Sequence, residues 1–443
     1  MLTDVPKNFG GHLFTAFIQA FKTPDLRKKL LFTFFIMALF RWGSFIPLPG
    51  VDYAALKAVI SDVQNNGSLL DLVNMFSGGA LLQLSVFALG IMPYITASII
   101  IQLLRVVIPR FEDLHKEGQT GQAKLTQYTR YLTIALGVLQ STSIITAART
   151  GTLFGRASNQ KIIPSDSAWI FVLQILVMTA ATGLIMWMGE LITEKGVGNG
   201  MSILIFTSII ANLPRKLFAI AGGNGGIQKF LAIIALILLV TLAVVYVEQS
   251  MRRIPVQYAK RMVGRRMYGG TTTYIPLKIN MSGVIPVIFA SSILSLPMML
   301  AQFGDQNAKW IQWISMNFRS SSWFYLVVYG LLTFAFAFFY TSITFNPEEV
   351  ADNMKKYGGF VPGLRAGRPT ADYLHYVMTR ITTAGAVYLT IVALVPQIAM
   401  VAMNVPQLPF GGTTILIIVG VGLQTVKDIN AQLHQHHYEG FMA

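Results

Sequence analysis

Cysteine is absent from this sequence, and acidic residues are scarce. The 443 residues contain no cysteine, which excludes disulfides, thiol catalysis and cysteine-ligated iron–sulfur clusters without fixing the compartment. Asp and Glu number 19 against 34 Lys and Arg, which gives a formal net charge of +15. All six histidines lie outside the long apolar stretches, which argues against a metal or proton-relay site at membrane depth. No glycine-rich phosphate-binding loop is recognisable, so any energy input has to come from a partner.

Charged residues of both signs are also few. Only 12% of the residues are charged, 53% are apolar, and the mean hydropathy is +0.57. A soluble domain needs more charge to cover its surface, so the excess apolar area must face lipid. A helix needs about 17–25 apolar residues to cross a bilayer core of about 30 Å. We count ten candidate runs, of which the fifth and the tenth are short, at 30–46, 86–108, 127–147, 168–190, 199–213, 229–249, 282–303, 322–345, 377–401 and 410–426.

Lysine and arginine are distributed unevenly between the two sets of loops. With the N terminus inside, the cytoplasmic segments hold 21 of them and the outer loops hold 8, while 5 fall within or at the edges of spans. This asymmetry follows the positive-inside rule. The sequence therefore predicts a multi-pass membrane protein with both termini in the cytoplasm.

The spans divide the chain into four parts. We predict a cytoplasmic amphipathic segment at 1–29, an N-terminal half at 30–228, a C-terminal half at 229–426 and a cytoplasmic tail at 427–443. Apolar residues recur at helical spacing between Leu13 and Phe21, followed by several cations. This pattern predicts a helix that lies either in the headgroup layer or against the protein's own loops, and no signal-peptide cleavage site follows it.

Two cytoplasmic loops, 250–281 and 346–376, are unusually long. The first is basic and without acidic residues, and its stretch Thr271–Ile275 predicts a strand, hence a hairpin that reaches into the cytoplasm. The second opens with Asn346-Pro347-Glu348-Glu349, which combines an N-cap, a proline at the first helical position and acids in the first turn. Glycines then break this helix into a projecting loop. The end of the chain after Leu433, which carries His434, His436 and His437, is expected to be disordered.

The predicted spans contain no Asp or Glu. Glu190 and Glu248 lie at span ends on the cytoplasmic side, and Arg41 is the one charge well inside a span. Ion-coupled transporters generally need ionisable groups near the bilayer middle, and intramembrane proteases need a serine–histidine or paired-aspartate site. The sequence supports neither. Arg41 is either a functional residue or an arginine that packs against a neighbouring helix or extends toward the outer face.

Glycine and proline interrupt the second and the seventh span, which are the second members of two five-span halves. The second span contains Gly90 and Pro93, and the seventh contains Gly283 and Pro286. Interruptions at corresponding positions indicate either an inverted repeat whose halves enclose a path, or ordinary kinks. Ahead of the second span, the short apolar segment 74–82 predicts either a re-entrant helix or an interfacial loop helix.

Several short motifs are recognisable in chain order. They are Phe45–Gly50, Met75–Leu81, Gly90–Ile100, Gln127–Tyr131, Gly196–Gly200, Gly283–Pro286, Asn346-Pro347, Ala351–Asn353 and Phe360–Arg365. Some are weak individually, but together they are specific, and they resemble the bacterial SecY family of protein-translocation channels from about residue 27 to residue 426.

The resemblance implies an all-α polytopic fold with ten transmembrane helices in two inverted, pseudo-symmetric halves around an hourglass-shaped channel. The family's plug corresponds to about residues 74–84, and its constriction combines apolar residues of several helices. The implied plug residues are Asn74, Phe76, Ser77, Gly78, Gly79 and Leu81. The implied constriction residues are Ile91, Ile95, Met201, Ile205, Ile288 and Ile417. Without the resemblance, these six would be assigned to an ordinary apolar core, and Met201 departs from the usual branched residue.

The resemblance also implies a lateral gate flanked by the second and seventh helices, with Thr96, Gln102 and Asn280 at its polar positions. The two long loops would bind the motor ATPase SecA or the ribosome, and basic side chains there suit ribosomal RNA phosphates. The implied contact residues are Arg265, Arg266 and Arg365. Ala366 replaces the proline usual after Arg365, so the rigidity of that loop is in question.

The function that the resemblance implies is a passive channel of the bacterial cytoplasmic (inner) membrane. It would export unfolded preproteins and release membrane-protein helices laterally into lipid, driven by SecA or the translating ribosome. SecE and SecG would be its partner subunits and signal sequences its ligands, with no catalytic site, cofactor or metal. One alternative is a small-solute secondary transporter with inverted repeats, which predicts ionisable groups at mid-membrane. Another is a scaffold or insertase without a continuous pore, which conductance measurements after plug removal would distinguish.

Overall fold

The chain is mostly helical in the computed structural model. The structure describes residues 21–57, 79–81, 83–150, 163–164, 167–221, 226–258, 261–263, 266–268, 272–303, 308–318, 322–403 and 412–439. The helices are α1 Pro24–Gly43, α2 Met92–Val107, α3 Pro109–Lys116, α4 Gln119–Arg149, α5 Ala168–Lys195, α6 Gly200–Ala221, α7 Gly226–Gln249, α8 Ile285–Phe303, α9 Lys309–Asn317, α10 Trp323–Thr344, α11 Pro347–Lys356, α12 Arg368–Met403 and α13 Gly412–Glu439. The strands are β1 Met251–Tyr258, β2 Arg261–Val263, β3 Arg266–Tyr268, β4 Thr272–Lys278 and β5 Gly359–Phe360.

A helix overlaps each predicted span, namely α1, α2, α4 to α8, α10, α12 and α13. By length and hydropathy alone, six of the described helical segments can cross a bilayer, or seven if α2 and α3 form one bent span. The apolar stretches Gly200–Pro214 and Ile285–Leu294 are shorter. The architecture is therefore that of a polytopic helical membrane protein, and the count of ten spans stays a prediction.

The interrupted spans begin later than their hydropathy predicts. In the second span, residues up to Ile91 form turns, with Gly90 at φ +56°, and α2 starts only where Pro93 can occupy its first turn. Its far end is at Ile108, which is extended before Pro109, and α3 leaves at an angle of 101°. Likewise, Gly283 has φ +62° just before α8 begins.

Each half has an apolar cluster of its own, and a further cluster joins helices of both halves. In the N-terminal half, α4 packs against α2 and α5, while α1 packs against α5 and α6. In the C-terminal half, α10 packs between α8 and α12, and α13 packs against α7 and α12. The halves meet where α6 contacts α7 and α13, and where α8 contacts α4. The interior between the halves is therefore lined by helices of both.

A hydrogen bond between two buried side chains links α10 to α13. The hydroxyls of Tyr329 and Thr413 lie 3.1 Å apart, and both residues are buried. We expect Tyr329→Phe to reduce the free energy of unfolding in mixed micelles by about 0.6 kcal/mol, the average for hydrogen bonds between membrane helices. A double-mutant cycle with Thr413→Val should show that the two losses are not additive; full additivity would mean that the bond contributes nothing.

The two long loops predicted at 250–281 and 346–376 fold together. Strand β1 pairs antiparallel with β4, from Met251 opposite Lys278 to Gln257 opposite Thr272, which confirms the predicted hairpin. On its other edge β1 pairs with β5, so the second loop adds a strand to the hairpin of the first. The sheet buries its apolar face against α11 and the start of α12. The two loops therefore form one small domain.

The ends of two helices test predictions made from the sequence. Helix α11 begins as predicted, because the Asn346 side chain accepts hydrogen bonds from the backbone N–H groups of Glu348 and Glu349. The prediction of a disordered end after Leu433 was wrong, since α13 continues to Glu439. The C-terminal half of α13 packs through Ile429 against Leu26 and Leu30 of α1. This contact holds the part of α13 that lies beyond the predicted span.

Candidate functional site

The six constriction residues implied by the resemblance lie in one apolar cluster in the interior between the halves. Five of them are buried, and Met201 packs against the cluster as a half-buried residue. We call these six the ring residues: Ile91, Ile95, Met201, Ile205, Ile288 and Ile417. They come from α2 and the residue before it, α6, α8 and α13. The cluster thus joins helices of both halves.

Local helix geometry pairs four of the ring residues. Ile91 precedes α2, and its carbonyl accepts the backbone N–H of Ile95 at 3.1 Å, so the two side chains share one face. At the start of α6, the Asn199 side chain accepts the backbone N–H groups of Met201 and Ser202. Ile205 follows one turn later. Each pair therefore lies at the N-terminal end of its helix, which begins with a proline in α2 and with the Asn199 cap in α6.

Glycine allows α6 to approach α5 closely behind the ring residues. A Cβ at Gly200 would overlap the backbone carbonyl oxygen of Gly189, and a Cβ at Gly189 would overlap the Met201 sulfur. The position of Met201 thus depends on the absence of a side chain at Gly189.

Aromatic residues back the ring residues on two sides. Phe40 of α1 stacks on Phe87 at 5.9 Å between ring centroids, and Phe289 of α8 stacks on Phe336 of α10 at 5.1 Å. Phe87 also fills the space that a side chain at Gly43 would need. These four phenylalanines were not predicted, because nothing in the sequence distinguishes an isolated Phe in an apolar span from an ordinary core residue.

The implied plug is described only at its C-terminal end. Leu81 is buried in an apolar cluster with Leu84, Ile144 and Met178. Gly79 has φ +86°, and the Asn212 side chain of α6 would lie 2.9 Å from a Cβ there. Asn74, Phe76, Ser77 and Gly78 lie outside the described residues.

The motif Phe45–Gly50 holds the segment that leads to α2. Leu48 donates its backbone N–H to the Leu84 carbonyl at 3.0 Å, and Val86 donates to the Ile46 carbonyl at 2.9 Å. The segment beside the ring residues is therefore tied to the end of α1.

The three implied gate residues have different surroundings. Thr96 donates its hydroxyl to the Met92 carbonyl of its own helix, and Gln102 is half-buried further along α2. Asn280 is buried in the turn before α8, where its amide donates to Glu248 of α7 and to the Gly283 carbonyl. These bonds of Asn280 fix the start of α8 to the end of α7. The roles of all three at a gate stay predictions.

An ion pair joins α4 to the C-terminal part of α5. Arg130 donates from Nε and Nη2 to the two carboxylate oxygens of Glu190, both at 2.8 Å, and from Nη1 to Gln127 at 3.2 Å. The sequence placed Glu190 only at a span end, because a partner 60 residues away leaves no local signal.

The remaining predicted cations lie in different parts of the chain. Arg365 is exposed in the turn after β5, and Arg266 lies on β3 opposite Val263. Arg265 lies outside the described residues. Arg41 is in the last turn of α1, with its guanidinium 4.7 Å from the centre of the Phe45 ring. This position favours the interpretation that Arg41 extends toward the end of its span.

The chain was compared with known proteins. The family model named SecY matches residues 85–426. A protein translocase subunit SecY of Streptomyces galbus is 58% identical over 436 residues, which is 97% of this chain and the whole of that protein. The chain belongs to the SecY family. Its pore-forming role as a translocase subunit and its multi-pass membrane character follow from that membership, and a small-solute transporter is not favoured.

Solved structures agree with the SecY fold. A structure described as a protein conducting channel matches with a TM-score of 0.59 and 16% identity, over 91% of each chain. Sec61 in a canine ribosome–channel complex matches with a TM-score of 0.55 and 16% identity, again over 91% of each chain. At such identities these likenesses show the fold, which is the predicted SecY-like channel.

Proposed function

We propose that the ring residues form the constriction through which this SecY-family protein passes unfolded polypeptides. The supporting observation is their convergence, from helices of both halves, in one buried apolar cluster. Branched apolar side chains disfavour water and ions, yet they adapt around an extended chain without specific bonds. Met201 is longer and more flexible than the isoleucines, so it loosens the seal slightly.

Residues 74–84 are the proposed plug on the outer side of the ring. The burial of Leu81 against α4 and α5 supports this role, because the C-terminal end of the segment is fixed in the N-terminal half. The positive φ of Gly79 beside Asn212 fits a tight turn within the segment. The plug would leave this position when a polypeptide enters.

The proposed lateral gate runs between α2 with α4 on one side and α8 with α10 on the other. The contact between α8 and α4 supports a closed seam at this place. Thr96, Gln102 and Asn280 contribute as polar groups near the gate helices. Polar contacts between membrane helices are worth about 1 kcal/mol or less, a scale that an incoming signal sequence can displace. Membrane-protein helices would leave the channel here into lipid.

The domain formed by β1, β4, β5 and α11 is the proposed binding surface for SecA and for the ribosome, one at a time. The exposed cations Arg252, Arg253 and Arg365 support this, because they project from one rigid sheet and its adjoining turn. Arg265 and Arg266 would extend the basic surface. The related Sec61 described with a ribosome is consistent with a ribosomal partner.

Reversing the charge at Arg365 should weaken binding to this domain. We expect Arg365→Glu to lower the affinity for SecA or for ribosomes by about tenfold and to make binding less salt-dependent, since fewer counterions are released. Lys57→Glu, the same charge change at an exposed lysine outside this domain, is the matched control. Equal losses for both variants, measured by salt titration with reconstituted vesicles, would contradict a specific role for Arg365.

The proposed setting is the bacterial inner membrane, with both termini in the cytoplasm and SecE and SecG as partner subunits. The basic cytoplasmic loops support this orientation. The chain itself is proposed to be passive, with the energy supplied by SecA or by translation.

Reconstitution with SecA distinguishes this function from small-solute transport. Vesicles that contain the complex should protect a preprotein from added protease only when ATP is present. An ion gradient alone should drive no solute uptake. Gradient-driven solute uptake without preprotein protection would contradict the proposed function.

A further inference from the structure

A short helix between two gate helices carries exposed tryptophans. Helix α9 connects α8 to α10, at the ends of these helices that point away from the cytoplasmic β-sheet domain. Trp310 is 56% exposed and Trp313 is 52% exposed, whereas Ile311 between them is buried at 1%. One side of α9 therefore packs on the protein, while large aromatic side chains project from another.

The faces of α9 differ in chemistry. At about 100° per residue, Trp310 and Trp313 share one arc, and Gln312 lies about 160° away from Trp310. The buried Ile311 lies between these two directions. The helix thus has a face against the protein, a tryptophan face, and a third face that carries Lys309 and Gln312 together with the exposed Met316.

The tryptophan face is fixed in position by α10. Trp313 lies 5.6 Å from Phe324 and 6.3 Å from Phe318 between ring centroids, and these two phenylalanines are 5.6 Å apart. All three pairs meet edge to face, which is a favourable aromatic geometry. Phe324 belongs to the first turn of α10, so its contact with Trp313 couples the position of α9 to the start of that helix.

Chain connectivity keeps α9 near the bilayer. It begins six residues after Phe303, where α8 ends, and finishes six residues before Trp323, where α10 starts. Such links reach at most about 20 Å. Trp323 itself is 71% exposed at the start of a candidate membrane span, so the aromatic surface of α9 continues into a lipid-facing one.

We propose that α9 is an interfacial anchor that lies in the headgroup–acyl boundary of the outer leaflet and binds the lipid surface through Trp310 and Trp313. Two tryptophans and one nearby cation, Lys309, match the composition of aromatic belts. The anchor would hold the outer ends of α8 and α10, which form one side of the proposed gate, at a fixed depth. The occupant of the exposed face is therefore phospholipid, rather than a protein subunit or a second copy of this chain.

The natural lack of cysteine makes a direct test possible. Single variants Trp310→Cys, Gln312→Cys and Trp323→Cys would carry a bimane label in the full-length chain, in vesicles of phosphatidylethanolamine and phosphatidylglycerol. Some vesicles contain phospholipid brominated near the headgroup end of the acyl chain, and aqueous iodide is the second quencher. The quenching of the three labels is compared at a low protein-to-lipid ratio, where copies of the chain seldom meet. Quenching by bromolipid under these conditions therefore reports contact with lipid rather than with a second copy of the chain.

Bromolipid should quench the labels at 310 and 323 to a similar degree, at least about twofold more than the label at 312. Aqueous iodide should quench the label at 312 more than those at 310 and 323. Strong iodide quenching at 310 while 323 remains protected would place α9 in water and overturn the proposal. Protection of 310 from both quenchers would show a protein covering this face, which also overturns it.

Discussion

Replacing Ile205 with asparagine should make the channel leak ions. The measurement is best made in a chain that lacks residues 74–78, so that the ring residues are the remaining barrier. We expect Ile205→Asn to raise iodide efflux from reconstituted vesicles about tenfold over that parent. Ile205 is buried among apolar side chains from both halves, and an amide there gives water a hydrogen-bonding partner in a constriction that otherwise excludes it.

Ile210→Asn is the matched control for this experiment. Ile210 lies on the same helix but is 40% exposed, away from the ring cluster. It should leave the efflux at the level of the parent. Equal efflux for Ile205→Asn and the parent, with both proteins folded, would mean that ions do not pass the ring. No conductance in either the parent or Ile205→Asn, with both proteins folded, would favour the scaffold hypothesis.

Two glycine substitutions behind the ring should have large and different effects on stability. Gly200→Ala places a Cβ on the backbone carbonyl of Gly189, which cannot move without separating α5 from α6. We expect a loss of about 3 kcal/mol in the free energy of unfolding, although alanine is otherwise the better helix former. Gly189→Ala meets only the flexible end of Met201, and its loss should be about 1–2 kcal/mol.

A second substitution separates the two cases. Met201→Ala should restore most of the stability lost in Gly189→Ala, because it removes the side chain that the new Cβ meets. Met201→Ala should not restore stability to Gly200→Ala, because the new Cβ there overlaps the backbone carbonyl of Gly189. Thermal unfolding in detergent gives both comparisons. A neutral Gly200→Ala variant would show that the close crossing of α5 and α6 is not required.

The features predicted from the sequence were the ones encoded locally. The apolar runs predicted the helices, Asn346 predicted the cap of α11, and the stretch Thr271–Ile275 predicted a strand that the structure shows as β4 of the hairpin. The pairing of β1 with β5 was missed, because a strand of two residues has no periodicity to detect. The 101° turn at Pro109 was missed as well, since hydropathy carries no direction.

The candidate site could not be predicted from local sequence patterns alone. Nothing in composition or spacing distinguishes Ile95 or Ile417 from other buried isoleucines, and only the family resemblance selected them. The bond from Asn280 to Glu248 depends on how α7 meets the turn before α8, which is set by packing of distant segments. Cooperation between residues that are far apart in the chain is what a single sequence does not display.

Site-specific crosslinking tests the central claim, that polypeptide passes the ring residues. A photo-reactive residue would replace Ile95 or Ile205, with Ile210 as the control position, in membrane vesicles that contain SecA and a stalled secretory chain. We predict crosslinks from 95 and 205 to many positions of the stalled chain, and none from 210. Continued export without any crosslink from 95 or 205 would contradict the account and favour a scaffold whose path lies elsewhere.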